Sequence, residues 1–308
     1  MPELPEVETV RRMLEGAVVG RVVRRATISG AALRGTVPRT LPRRLAGRRI
    51  ETVQRRGKYL LIHFDADLTL LAHLGMSGRW LFNERAPADE LPHVHLRIRF
   101  ADRSELWYQD PRRFGLLRAV ARGRLERDPS LRILGPDPLA SPPTAESLGG
   151  RARGARVSVK SFLLDQRRIA GLGNIYVSEV LHRAAIDPRR RAGSLRDPEW
   201  SAVAGQVVAV LAEAVEGFGT TFDAYRTLWN QPGSYGERLL VYDRAGEPCR
   251  RCKTPIRRIV QGARSTFFCP TCQRRTPASR ASKAKGTPRR ARQSRARASV
   301  IARRPPAP

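Results

Sequence analysis

Near the start of the chain, Val7, Val10, Met13 and Leu14 recur at helical spacing and define one apolar face. Pro5 suits a first helical turn, and Glu6 and Glu8 suit its positive end. The spacing predicts an N-terminal helix. From about Arg21 to Phe100 the pattern changes to short apolar, β-branched or aromatic runs: 22–28, 59–64, 68–74 and 95–100. The last alternates apolar with polar, as a half-buried strand does. Several short strands at this spacing predict a sandwich or barrel. From 126 to 154, Pro129, Pro136, Pro138, Pro142, Pro143, Gly149 and Gly150 break any periodicity. That stretch reads as an interdomain linker, extended around Leu134–Leu139. Beyond it, 159–164, 175–185 and 199–215 carry helical apolar spacing. The expected fold class is α+β: an N-terminal β-sandwich with its helix over residues 1–125, then a helical domain over 155–240.

Charge changes the picture next. The 308 residues suffice for two domains with real cores. The net charge of +30 calls for a polyanionic partner. Nucleic acid is the commonest; a ribosome or an anionic membrane surface would give the same number. Ten of the thirty charges lie in the tail 276–308, which has no acid, so the first 275 residues still carry +20. The tail has no apolar period and is expected to be disordered, adding nonspecific, salt-sensitive affinity. No apolar run approaches the roughly 20 residues of a membrane span. Acids stand at the N-terminus where a signal peptide carries basic residues. The expectation is a cytoplasmic protein with no membrane association, its four cysteines reduced or metal-bound.

Those cysteines form Cys249-x2-Cys252, sixteen residues, then Cys269-x2-Cys272. Each pair can grip one ion, and the interval suits a β-hairpin over 241–275. Four thiolates in a reducing compartment indicate one structural zinc ion with no open position for catalysis.

Two features point to amine chemistry. The chain opens Met1-Pro2-Glu3-Leu4-Pro5-Glu6-Val7-Glu8. If Met1 is removed, Pro2 carries a secondary amine at the chain end. A free α-amine has a reference pKa of about 7.7–8, against about 10.4 for lysine. More of it is therefore neutral at physiological pH, and a neutral amine can form a Schiff base. Glu3 stands beside it as a proton carrier. A capped helix with a meaningless frayed start is the bland alternative. Lysine is scarce, five against 53 arginines, and Lys58, Lys160 and Lys253 alone precede the tail. Lys58 sits where a loop becomes a strand, a stiff mount for a reactive amine.

The first eight residues resemble the N-terminal signature of bacterial formamidopyrimidine-DNA glycosylase. Further segments resemble the same family in the same order: Arg55–Leu60, His73–Gly78, Asp110–Gly115, Ile169–Tyr176 and the four cysteines. The resemblance covers about residues 1–275. It implies a base-excision repair enzyme acting on damaged double-stranded DNA, excising oxidised purines such as 8-oxoguanine and formamidopyrimidines. Pro2 would form the Schiff base, Glu3 and Lys58 would assist, and β,δ-elimination would nick the strand, with Arg264 helping the last step. Met76 would fill the space of the extruded base, Arg112 would face the orphaned cytosine, and Phe114 would wedge against the opposite strand. DNA contacts are implied for His93, Arg156, Lys160, Asn174 and Tyr176, the last two in a helix–two-turns–helix motif. Two glycines there would let N–H groups at a helix start approach a phosphate.

Departures are local. The family carries a further histidine two residues before His93, where this chain has Leu91. In a loop that folds over the extruded base in some relatives, a lysine-bearing variant is known; this chain has Asp223. Gly233-Ser234-Tyr235-Gly236 stands where an aromatic pair is usual. A monomer is expected. Two rivals remain: the sister glycosylases for oxidised pyrimidines, and a non-enzymatic zinc-containing DNA-binding protein on the same scaffold.

Overall fold

The computed structural model describes residues 1–85, 91–221 and 225–275. In chain order its elements are α1 (Leu4–Val18), β1 (Val23–Ile28), α2 (Leu41–Leu45), β2 (Ile50–Arg56), β3 (Tyr59–Phe64), β4 (Leu68–His73), β5 (Arg79–Asn83), β6 (Val94–Phe100), β7 (Glu105–Gln109) and β8 (Leu116–Ala121). Then follow α3 (Ala145–Ala152), α4 (Val159–Leu164), α5 (Asn174–Arg183), α6 (Asp197–Glu216), β9 (Arg257–Gln261) and β10 (Arg264–Phe268). Short 3-10 turns join several of them. Among the described residues no helix is long and apolar enough to cross a membrane. The tail from 276 and Asp223 lie outside the described residues.

Two antiparallel sheets, β1-β6-β7-β5 and β2-β3-β4-β8, make the expected sandwich. Val7, Val10 and Leu14 of α1 share one core with Ile62 and Leu70 of one sheet and Trp80 and Ile98 of the other. Strand β6 keeps its alternation: Leu96, Ile98 and Phe100 are buried, while Arg97 lies over the Trp107 ring and Arg99 pairs with Glu105 at 3.0 Å. Strands β3 and β4 do not alternate because both faces are covered. Their outer Leu61 and Leu71 pack under Leu131 of the chain leaving the sandwich. The free edge of β5 is covered by a loop from the far end of the chain: Phe82 N–H donates to the Leu228 carbonyl at 3.3 Å. Covering an edge in this way removes a site for unwanted pairing.

The helical part has its own core, centred on Trp200, Val207 and Leu211 of α6, Tyr176 and Val180 of α5, and Phe162 of α4. Leu4, the first residue of α1, belongs to this second core, while Val7 belongs to the first. One helix start is thus wedged into both halves.

The stretch 126–154 is not uniformly extended. Its later part is α3, capped by Thr144, whose Oγ1 accepts from Ser147 N–H at 3.1 Å. Leu148 and Ala152 anchor that helix in the helical core. Gly149 and Gly150 sit inside it, so tertiary packing on α6 overrides their poor helix propensity. The extended part around Pro136 carries a staple instead. Asp137 accepts from Gly57 N–H at 2.8 Å, from Leu139 N–H at 3.1 Å and from the Arg55 guanidinium at 3.0 Å. Arg55 turns its Nε to Glu8 at 2.9 Å, so helix, strand and linker meet at one buried guanidinium. Burial works to raise the Glu8 carboxyl, but Arg55, Arg12 and Arg11 outweigh it and hold it below the usual range.

Breaking a buried pair from one side costs about 3–5 kcal/mol. Asp137→Ala should lower the urea midpoint by that order at unchanged slope, and Asp137→Asn, which keeps an acceptor for Gly57 or Leu139, should lose less. An unmoved midpoint for the alanine variant would remove the staple.

Candidate active site and nucleic-acid interface

The N-terminus enters the seam between the two cores. Pro2 is buried, and Glu3 behind it is 3 % exposed. Glu3 N–H donates to Glu6 Oε2 at 2.7 Å, the backward half of a capping box. The Glu3 carboxylate reaches across the seam to the start of α5, accepting Ile175 N–H at 3.0 Å and Tyr176 N–H at 3.4 Å. Leu4 N–H donates to the Gly171 carbonyl at 3.1 Å. Gly173 is required by this approach: a Cβ there would overlap the Glu3 carboxyl group. The helix start expected to receive a phosphate is therefore filled by the protein's own carboxylate, a favourable partner for its dipole.

Glu6 is the second carboxylate in the seam, with a role that sequence alone did not reveal. It accepts the Tyr176 hydroxyl and, at 2.8 Å, Thr220 N–H. Burial raises its carboxyl, the nearby Glu3 adds to the rise, and the bonds from Tyr176, Thr220 and Glu3 oppose it. The spacing Glu3-x-x-Glu6 at a helix start was the signal that could have found it. Tyr176, expected at the DNA, is fully buried on Glu6; its side chain has no surface to offer a polyanion.

Lys58 faces the same seam from the turn into β3. It is buried, which pushes its amine below the ordinary lysine range; Glu3 and Glu6 oppose that, and Arg264 adds to it. Behind it, burial followed by the charges of Lys58 and Arg34 takes the His73 ring down to about 4. His73 Nδ1 accepts Gly75 N–H at 2.9 Å and so fixes the start of the next turn.

That turn carries Met76, and the turn after β7 carries Arg112 and Phe114. All three are exposed, and the Arg112 guanidinium lies 5.2 Å from the Phe114 ring centre. The turns are clamped by Asp110, whose role was likewise not evident from sequence alone. Asp110 accepts Ser77 Oγ–H at 2.5 Å and Gly115 N–H at 2.7 Å, while Ser77 Oγ accepts Arg112 N–H at 3.1 Å. Gly75 has φ +63°, and a Cβ on it would strike the Phe114 carbonyl. Two apolar tips and a guanidinium are thereby presented together on rigid backbone. His93 is exposed at φ +64°, whereas His95 is buried, bonded to Ser29 Oγ and the Asp110 carbonyl.

On the helical side, Lys160 and Asn174 hold the β9–β10 hairpin. Lys160 Nζ donates to the Ser265 carbonyl at 2.7 Å and Thr266 Oγ1 at 2.6 Å; Asn174 Nδ2 donates to the same carbonyl at 2.9 Å. Burial, then Arg264, lowers the Lys160 amine to about 8, against the pull of Glu3. Lys160 is thus an internal hairpin anchor here, while Arg264 and Arg156 are exposed. The loop before the hairpin is pinned by Thr220 to Glu6 and by Tyr225 and Leu228, which are buried in the sandwich core.

Cys249, Cys252, Cys269 and Cys272 bring their sulfurs within 4.8 Å of one another. Neighbouring sulfurs are separated by 3.4, 3.5 and 3.9 Å. Zn–S bonds of about 2.3 Å in a tetrahedron require roughly 3.8 Å, so this set fits one structural zinc ion and leaves no ligand position open.

Comparison with known proteins agrees with this geometry. The family model for the formamidopyrimidine-DNA glycosylase N-terminal domain matches residues 1–117, that for its H2TH domain 134–224, and a zinc finger found in FPG and IleRS 246–275. The formamidopyrimidine-DNA glycosylase of Paracoccus denitrificans is 44% identical over 282 residues, spanning 89% of this chain and 100% of the relative. That of Burkholderia lata is 45% identical over 280 residues, with the same coverage. The solved MutM (FPG) protein of Thermus thermophilus superposes with a TM-score of 0.78 at 40% identity, covering 90% of this chain and 100% of that one. A Lactococcus lactis FPG mutant bound to a Fapy-dG containing DNA gives 0.81 at 32%, covering 89% and 100%. The chain belongs to the formamidopyrimidine-DNA glycosylase family.

Proposed function

We propose that this protein is a bifunctional DNA glycosylase and abasic-site lyase of base-excision repair that removes oxidised purines from duplex DNA through Pro2. The observation that carries the reading is one desolvated seam holding Pro2, the Glu3 carboxylate and the Lys58 amine. The turns of Met76, Arg112 and Phe114 offer apolar and planar groups suited to a duplex from which a nucleotide has been extruded.

In this mechanism Met1 is removed and the Pro2 nitrogen bonds to C1′ of the sugar as the bond from C1′ to the base breaks. The departing base keeps the electron pair and takes a proton from Lys58, whose burial makes it a stronger acid than an ordinary lysine. Glu3 relays protons at the ring oxygen as the sugar opens to the iminium. Loss of a C2′ proton then expels the 3′ phosphate, and a second elimination expels the 5′ phosphate. Arg264, exposed near Lys58 and Lys160, supports the charge of the leaving phosphate. His93, Arg156 and the Asn174-anchored hairpin extend the DNA contact. Residues 1–125 and 155–240 hold the two functional domains, joined by 126–154, whose α3 packs into the second, with the zinc finger over 241–275 and a basic tail from 276. The protein works in the cytoplasm as a monomer.

Borohydride trapping on an 8-oxoguanine:cytosine duplex should yield one adduct, found by mass spectrometry on Pro2. Attachment at Lys58, or tenfold faster cleavage of a thymine-glycol duplex, would overturn the reading. Gly173→Ala should push Glu3 aside and lower single-turnover cleavage at least about 100-fold, because misplacement of about 1 Å costs that much. DNA affinity should hold within a few-fold; unchanged cleavage would deny Glu3 its place. Raising salt from about 50 to 200 mM should weaken duplex binding at least about tenfold through counterion release. A flat response would contradict the charge argument.

A further inference from the structure

Helix α5 meets the zinc module at three levels. At its start Asn174 holds the hairpin carbonyl of Ser265 at 2.9 Å. Further along, the fully buried Glu179 carboxylate accepts three successive N–H groups of the strap into the finger: Leu240 at 2.8 Å, Val241 at 3.0 Å and Tyr242 at 2.9 Å. Near its end, His182 is fully buried and turns Nε2 to within 3.6 Å of Cys249 Sγ. The other ring nitrogen, Nδ1, has no hydrogen-bond partner among the described residues.

The tautomer follows from this asymmetry. A neutral imidazole carries one N–H. Were it on Nδ1, a buried donor would go unpaired and the Nε2 lone pair would face a thiolate. With the proton on Nε2, the N–H points at sulfur and only an acceptor lone pair is left over. A hydrogen bond to a charged acceptor is worth more than one between neutral groups. Cys269 is provided for differently: its sulfur accepts Cys272 N–H at 3.4 Å within the second Cys-x2-Cys knuckle. For Cys249, itself fully buried, the contact comes from another domain.

We infer that His182 donates its Nε2–H to the Cys249 thiolate and is a positioning residue of the zinc site, fastening the metal-bound finger to the helix whose first turn binds Glu3. Groups that hydrogen-bond metal ligands orient them, and their loss typically weakens metal binding by about 10–100-fold. The finger and the catalytic seam are therefore connected through a single rigid helix.

The full-length zinc-loaded protein tests this. Transfer of zinc to a chromogenic chelator should be at least about tenfold faster in His182→Phe than in wild type, and close to wild type in His182→Gln, whose side-chain amide keeps an N–H at that reach. With cobalt in place of zinc, the sulfur-to-metal charge-transfer band should move to longer wavelength in His182→Phe, because the unbonded thiolate is the stronger electron donor. Equal release and equal bands in all three proteins would overturn the inference, as would a glutamine variant that behaves like phenylalanine. Ring 15N spectra of the wild-type protein decide the matter without any variant: a protonated Nε2 and bare Nδ1 on His182 are expected, and the reverse tautomer would refute the donor.

Discussion

The Glu3 carboxylate against the first N–H groups of α5 is the contact on which the rest of this structure depends. It joins the second residue after the initiator methionine to a helix more than 170 positions later. Because Leu4 enters the helical core and Val7 the sandwich core, the start of α1 cannot shift without disturbing both. The N-terminus, ordinarily the most mobile part of a chain, is held here, with Pro2 buried in the seam. Desolvation follows from the same wedge, and with it the lowered amine of Lys58 and the raised carboxyl of Glu6.

A second regularity concerns charge. Acids are outnumbered about two to one by lysine and arginine, yet several acids are among the most buried residues: Glu3, Glu6, Asp110, Glu179 and Asp187. Each accepts backbone N–H groups or a guanidinium, and Glu3, Glu6 and Glu179 do so where segments distant in sequence meet. Carboxylates can take several such bonds at once, which makes them efficient staples between backbones. Arginines such as Arg112, Arg156 and Arg264 remain outside, available to a polyanion. The excess of positive charge that would repel itself in the interior is turned outward, and the few negative groups hold the interior together.

The zinc module shows the same logic with a metal. Its own apolar cluster is small, built on Val241, Ile256 and Phe267 around the cysteines. A core of that size does not hold a hairpin alone; zinc binding supplies on the order of 10 kcal/mol to such modules. Lys160, Asn174 and Glu179 then seat the finger against the helical domain, which brings Arg264 to the seam.

Local chemistry determined a good deal of this from sequence alone. The period of two in β6, the helical spacing of α1, α5 and α6, and the cysteine spacing each reflect short-range constraints, so the sandwich, the helical domain and the zinc site were legible. Met76, Arg112 and Phe114 stood out because their turns resemble the family's, and the fold leaves all three exposed. Tertiary structure decided the rest. α3 forms despite two glycines because α6 covers it. Tyr176 and Lys160 turn inward because Glu6 and the hairpin, remote in sequence, offer them partners. Asp110, Asp137, Glu179 and His182 gain their roles from groups 33 to 82 positions away. No spacing rule reaches that far: a buried polar side chain is placed by whichever distant backbone or sulfur must be satisfied beside it, and that identity exists only once the chain has closed.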